Sequence, residues 1–119
     1  DEINTAEAEF LTAKGFQVLD IQGLNLKTGI EFGNVTPAFW TSFACQIDKP
    51  DADAIFLSCG GIRALEVAAE IERLTGKPVI TSNQAQFWSC SRRAGIDHSI
   101  EGFGQLFTHP GRGLEAGSA

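Results

Sequence analysis

A chain of 119 residues, 43% hydrophobic and 20% charged, can bury one compact core and is too short for two ordinary domains. Nine lysines and arginines against fifteen acids leave a net charge of −6, which excludes a basic surface for nucleic acid. No apolar run approaches the roughly 18 residues of a membrane span and no basic-then-apolar leader is visible, so no membrane contact is expected.

Ile3, Ala6, Phe10 and Ala13 recur at helical spacing, with Glu2, Glu7, Glu9 and Lys14 off that stripe. This predicts an amphipathic helix stopped by Gly15. Phe16 to Gln22 is rich in β-formers and reads as a first strand. Gly23 to Val35, with three glycines and two asparagines, reads as a loop. Thr36-Pro37 then supplies an N-cap and a first-turn proline for a helix through about Gln46, carrying Phe39, Trp40 and Phe43. A polar stretch from Lys49 to Asp53 leads into a second strand at Ala54 to Ser58.

Ile62 to Leu74 is predicted helical, with Glu66, Glu70, Arg73 and Lys77 on a polar face and Ala64, Val67, Ile71 and Leu74 on an apolar one. Gly76 ends it. Pro78 to Thr81 reads as a third strand, and Thr81-Ser82-Asn83 offers caps for a last helix through about Ala94. Beyond Gly102 periodicity is lost. The expectation is one α/β domain over 1–107 and a flexible tail over 108–119. Helices alternating with strands predict a three-layer sandwich: a short, mainly parallel sheet with helices on both faces.

Cys59 is the candidate catalytic residue. The run Ala54-Ile55-Phe56-Leu57-Ser58-Cys59-Gly60-Gly61 reads as a buried strand delivering a thiol to the carboxyl edge of a sheet, where ligands of open α/β sheets bind. A helix opening behind it would turn its positive end toward the sulfur and stabilise a thiolate. Such a thiol can move a proton at carbon or act as a nucleophile, although cysteine also serves as a small buried residue. Gly60 and Gly61 can offer backbone N–H groups to a carboxylate, or can simply make a tight turn. Ser82 and Asn83, at the next strand-to-helix turn, are candidate substrate contacts and equally candidate helix caps.

Cys45 and Cys90 are expected in the core, and Phe87 and Trp88 are expected to pack the last helix on the sheet. Arg63 and His98 read as solvated. Three cysteines are too few for a disulfide framework and suit a reducing, cytoplasmic setting. No CxxC or HxxxH spacing exists, so no metal site is expected. The chain starts at Asp1 and lacks methionine, which suggests a fragment or a processed product.

Leu57-Ser58-Cys59-Gly60-Gly61-Ile62-Arg63 and the run Ile71 to Ala85 (Ile-Glu-Arg-Leu-Thr-Gly-Lys-Pro-Val-Ile-Thr-Ser-Asn-Gln-Ala) resemble the aspartate/glutamate racemase superfamily. Within it, the resemblance is to arylmalonate decarboxylases and maleate cis-trans isomerases. Gly102 to Phe107 is similar to the closing segment of the decarboxylases. The resemblance implies two α/β halves about a pseudo-two-fold axis, a site between them, and neither cofactor nor metal. It places this chain in the second half, with Cys59 as that half's catalytic cysteine and Gly60 as the backbone donor beside it. A small carboxylate is the implied substrate. The first half and the family's tyrosine-bearing segment before a stretch like Asp1 to Phe10 are absent. The alternative is therefore a catalytically inactive, stand-alone fragment that acts as a binding module or pairs as a homodimer.

Overall fold

The computed structural model describes residues 2–111. Helix α1 spans Glu2–Ala13 and buries no residue fully. Its half-buried positions are Asn4, Glu7, Ala8 and Leu11, while Ile3 and Phe10 of the expected apolar stripe stay 76% and 60% exposed. The reason lies in what crosses it. The chain after α1 comes so close at Gly23 that an added Cβ would sit 3.2 Å from the Asn4 amide, and Ile21 shares a hollow of about 690 Å³ with Asn4, Ala8 and Thr12.

The next segment, Phe16 to Gln22, is not the predicted strand. It runs without a ladder partner, and Phe16 and Leu19 are exposed. A β-rich composition requires a neighbouring edge to become a strand, and the described residues offer none there. The expected loop after it holds a short helix, α2 (Gly29–Asn34). Thr28 Oγ1 accepts from Glu31 N–H at 3.2 Å, and Glu31 Oε2 accepts from Lys27 N–H at 2.6 Å. Thr28-x-x-Glu31 is a capping-box pattern, masked in the sequence by the glycines around it.

Helix α3 (Pro37–Ile47) starts as predicted, with Thr36 Oγ1 accepting from Phe39 N–H at 3.2 Å. It buries Trp40 and Ala44 and leaves Cys45 exposed, against the expectation of a core thiol. Strands β1 (Ile55–Leu57) and β2 (Val79–Thr81) pair in parallel, with Ile55 opposite Val79 and Leu57 opposite Thr81. Their crossover contains a single 3₁₀ turn (Leu65–Val67) and helix α4 (Ala68–Thr75). The helix predicted from Ile62 therefore begins later. Ile62 and Ala64 enter the core from the irregular stretch ahead of that turn.

Ile55, Leu57 and Val79 meet Trp40, Ala44, Ala68 and Ile71 in one apolar cluster between the sheet and helices α3 and α4. Leu74, at the end of α4, is exposed despite its place on the predicted apolar face. Gly76 closes α4 in the left-handed region, at φ +71°, and its N–H reaches Glu72 O at 2.8 Å. Lys77 Nζ then ties this corner to Asp48 Oδ1, at the end of α3, at 2.6 Å.

Helix α5 (Ser82–Arg93) continues directly from β2. Cys90 is exposed on it, again against expectation. Phe87 is 56% exposed and meets Phe107 at 5.8 Å rather than the sheet, while Trp88 Nε1 donates to His109 O at 2.9 Å. A last 3₁₀ turn (Gln105–Thr108) buries Phe107 where the sequence shows no periodicity. Residues 112–119 of the expected tail lie outside the described residues. Among the described residues no helix is long and apolar enough to cross a membrane.

Candidate active site

Two parallel strands end at the same edge, and the pairing of Leu57 with Thr81 sets the turns beyond them side by side. After β1 come Ser58, Cys59, Gly60 and Gly61. After β2 come Ser82 and Asn83, the first residues of α5. The topology thus brings all five predicted site residues, Cys59, Gly60, Gly61, Ser82 and Asn83, to one rim.

Cys59 is half-buried against the core cluster, between exposed Ser58 and exposed Gly60. Its Sγ accepts a hydrogen bond from Gly61 N–H at 3.3 Å. The Gly60 N–H has no acceptor among the described residues. Neither glycine sits at positive φ, so backbone strain does not demand glycine here. A Cβ on Gly61 would lie in ordinary contact, 3.7 Å from Cys59 Sγ and 3.8 Å from Phe32 Cβ.

The dipole at this rim comes from a different helix than the sequence suggests. Helix α4 starts at Ala68, nine residues past the thiol, so its positive end is not what faces Cys59. The helix start at the thiol's edge is that of α5, fixed by a capping box. Thr81 Oγ1 accepts from Gln84 N–H at 3.1 Å, and Gln84 Oε1 accepts from Thr81 N–H at 2.9 Å. Asn83 Nδ2 donates to Gly60 O at 3.1 Å, bridging the two turns across 23 residues of sequence.

A further polar frame steadies this head from behind, and no sequence motif singles it out. Gln84 is fully buried, and its Nε2 donates to Phe103 O. Glu72, half-buried on α4, accepts from Val79 N–H and Gln105 N–H, both at 3.0 Å. The only sequence signal for Gln84 is its place three residues after Thr81. Nothing in the sequence marks Glu72, because both its partners are backbone groups from other segments.

Phe32, on the unpredicted α2, packs against the same core cluster as Cys59, with its Cβ 3.8 Å from where a Gly61 Cβ would stand, and sequence reasoning missed it. Arg63 is exposed as expected, but it is engaged. Its Nε and Nη2 each reach a Glu66 carboxylate oxygen at 2.9 Å, which holds the Glu66 carboxyl below its usual range. His98 is exposed. Among the described residues no three His, Cys, Asp or Glu side chains converge in a metal-binding group.

A parallel sheet with a half-buried thiol and a capped helix start at its carboxyl edge defines an α/β protein with a candidate site at its strand ends. The family profile described as arylmalonate decarboxylase matches residues 1–107, and the chain belongs to that family. It is 33% identical over 113 residues to the arylmalonate decarboxylase of Bordetella bronchiseptica, covering 90% of this chain and 46% of the relative. It is 25% identical over 100 residues to the maleate isomerase of Pseudomonas putida, covering 83% and 40%. A crystal structure of arylmalonate decarboxylase superposes with a TM-score of 0.81 at 32% identity, over 90% of this chain and 48% of that one. The chain spans about half the length of the relatives it matches.

Proposed function

We propose that this chain is the cysteine-bearing half of a lyase or isomerase site that moves a proton at the carbon α to a carboxylate, with no cofactor and no metal. The substrate class is a small carboxylate of the arylmalonate or maleate kind, after the names of the relatives. A cytoplasmic setting fits three cysteines that all stand free. In the decarboxylating direction the bond to one carboxylate breaks, CO2 leaves, and the electron pair spreads over the other carboxylate as an enediolate. Cys59 then gives its S–H proton to the carbon. The thiolate left behind is met by Gly61 N–H and regains a proton from water. Gly60, Gly61, Ser82 and Asn83 frame the remaining carboxylate, with the α5 start favouring its negative charge.

The observation that carries this reading is the Gly61 N–H to Cys59 Sγ contact at 3.3 Å, on a half-buried thiol at the strand-end rim. The test supplies an arylmalonate and maleate in D2O and tracks product by NMR. Solvent deuterium enters at the α carbon, and Cys59→Ala lowers turnover by about 10²–10⁴-fold, the usual contribution of a positioned acid or base. Unchanged turnover in that variant rejects the role.

A second reading, an inactive module that pairs with a copy of itself, draws support from a different observation. Ile3 and Phe10 on one face of α1, with Phe56 on the sheet, remain exposed in a chain half as long as its relatives. No turnover with any carboxylate, together with a stable dimer, selects it.

A further inference from the structure

We propose that Asn83 is a positioning residue, which aims the Gly61 N–H at the Cys59 sulfur by gripping the other end of the same peptide unit. The inference deepens the reading of Cys59 as proton donor and rests on it for its catalytic meaning.

The Gly60 carbonyl and the Gly61 N–H belong to one planar peptide, whose trans geometry points them in opposite directions. Asn83 Nδ2 holds the oxygen at 3.1 Å, and Cys59 Sγ receives the hydrogen at 3.3 Å. The chain of contacts is therefore continuous: amide N–H to carbonyl, across the peptide, and N–H to sulfur. With glycine on both sides, this peptide has little steric resistance to flipping, which would turn the carbonyl toward the sulfur and the N–H away. A donor fixed opposite the oxygen removes that freedom. It also polarises the carbonyl and so strengthens the N–H as a donor on the far side.

Asn83 can do this because it is itself held. The Thr81–Gln84 capping box fixes the first turn of α5, and Gln84 is buried and tied to Phe103. The Asn83 side chain lies against the turn, with Oδ1 3.4 Å from where a Gly60 Cβ would stand. Its orientation is chemically determined, since a carbonyl only accepts and the NH2 end must face it.

The experiment uses the full 119-residue chain carrying Cys45→Ser and Cys90→Ser, because both of those thiols are exposed and would react as well. In this background Asn83→Asp, an isosteric change that cannot donate when ionised, and Asn83→Ala are compared with the parent. Two quantities are read: the Gly61 amide proton resonance, and the iodoacetamide alkylation rate of Cys59 at pH 7. The expected result is an upfield move of the Gly61 resonance in both variants and a fall in alkylation rate of roughly 3- to 30-fold, the loss of a hydrogen bond to a charged acceptor being partly offset because a more basic thiolate is the better nucleophile. A role confined to stability would alter the melting temperature and leave the rate of the folded protein alone. If either readout stays at the parent value in a folded variant, the proposal is overturned. Asn83 is exposed, so folding is expected to survive both changes. Because neither readout needs turnover, an active Cys59→Ala protein would defeat the proposed reaction while leaving this result standing.

Discussion

Gly104 shows how far a single residue outside the thiol rim reaches into it. Its φ of +96° lies where side chains are strained, and an added Cβ would stand 3.1 Å from Glu72 Oε1 and 3.2 Å from Gln84 Nε2. Those two atoms belong to the frame that pins the 103–105 segment against β2 and the head of α5. Gly104→Ala is predicted to lower unfolding stability by about 1–3 kcal/mol, read from the denaturant midpoint. An unchanged midpoint would mean that the segment swings clear and that the frame is not rigid. Cys59 is the opposite kind of residue. Its place at the end of an apolar run before two glycines is visible in sequence, whereas the Gly61 N–H on its sulfur is visible only in three dimensions.

Among the elements, α5 matters most for the rim. Its start depends on Thr81, which is almost fully buried and whose Oγ1 accepts from the Gln84 N–H. Removing that cap by Thr81→Ala is predicted to cost about 0.5–2 kcal/mol. The loss should be accompanied by faster hydrogen exchange in the first turn of α5 and not in α3. Uniform protection in both helices would show that the cap is dispensable. The strand-end motif was legible in the chain because apolar runs bounded by turn residues need no distant information. The start of α4 was not. Ala64 has helical spacing with Val67 and Ile71, yet tertiary packing buries it and Ile62 in the non-helical stretch before α4.

At the scale of the whole molecule, the exposed apolar side chains set the behaviour to be tested. Ile3 and Phe10 on α1, Ile30 on α2 and Phe87 on α5 stand in solvent, in a chain matching about half of its relatives' length. If the second reading holds, light scattering at micromolar concentration gives the mass of two chains, and Phe10→Lys on the α1 face returns it to one. A monomer in the unmodified chain sinks the pairing. The hollow beside α1 and the one of about 250 Å³ near Trp88 and Ile100 are both lined by residues away from Cys59.

The sequence by itself determined the α/β class, the thiol at a strand end and the capped turn beyond the next strand. These are written in local patterns: hydrophobic runs, glycine pairs and cap residues, each acting within a few positions of itself. Only the tertiary structure decided that Phe16 to Gln22 joins no strand ladder among the described residues, that Cys45 and Cys90 face outward, and that α5 rather than α4 heads the thiol rim. It alone brought Asn83 onto the Gly60 carbonyl. Each of those outcomes depends on which surfaces meet across long stretches of chain, and no local pattern carries that information.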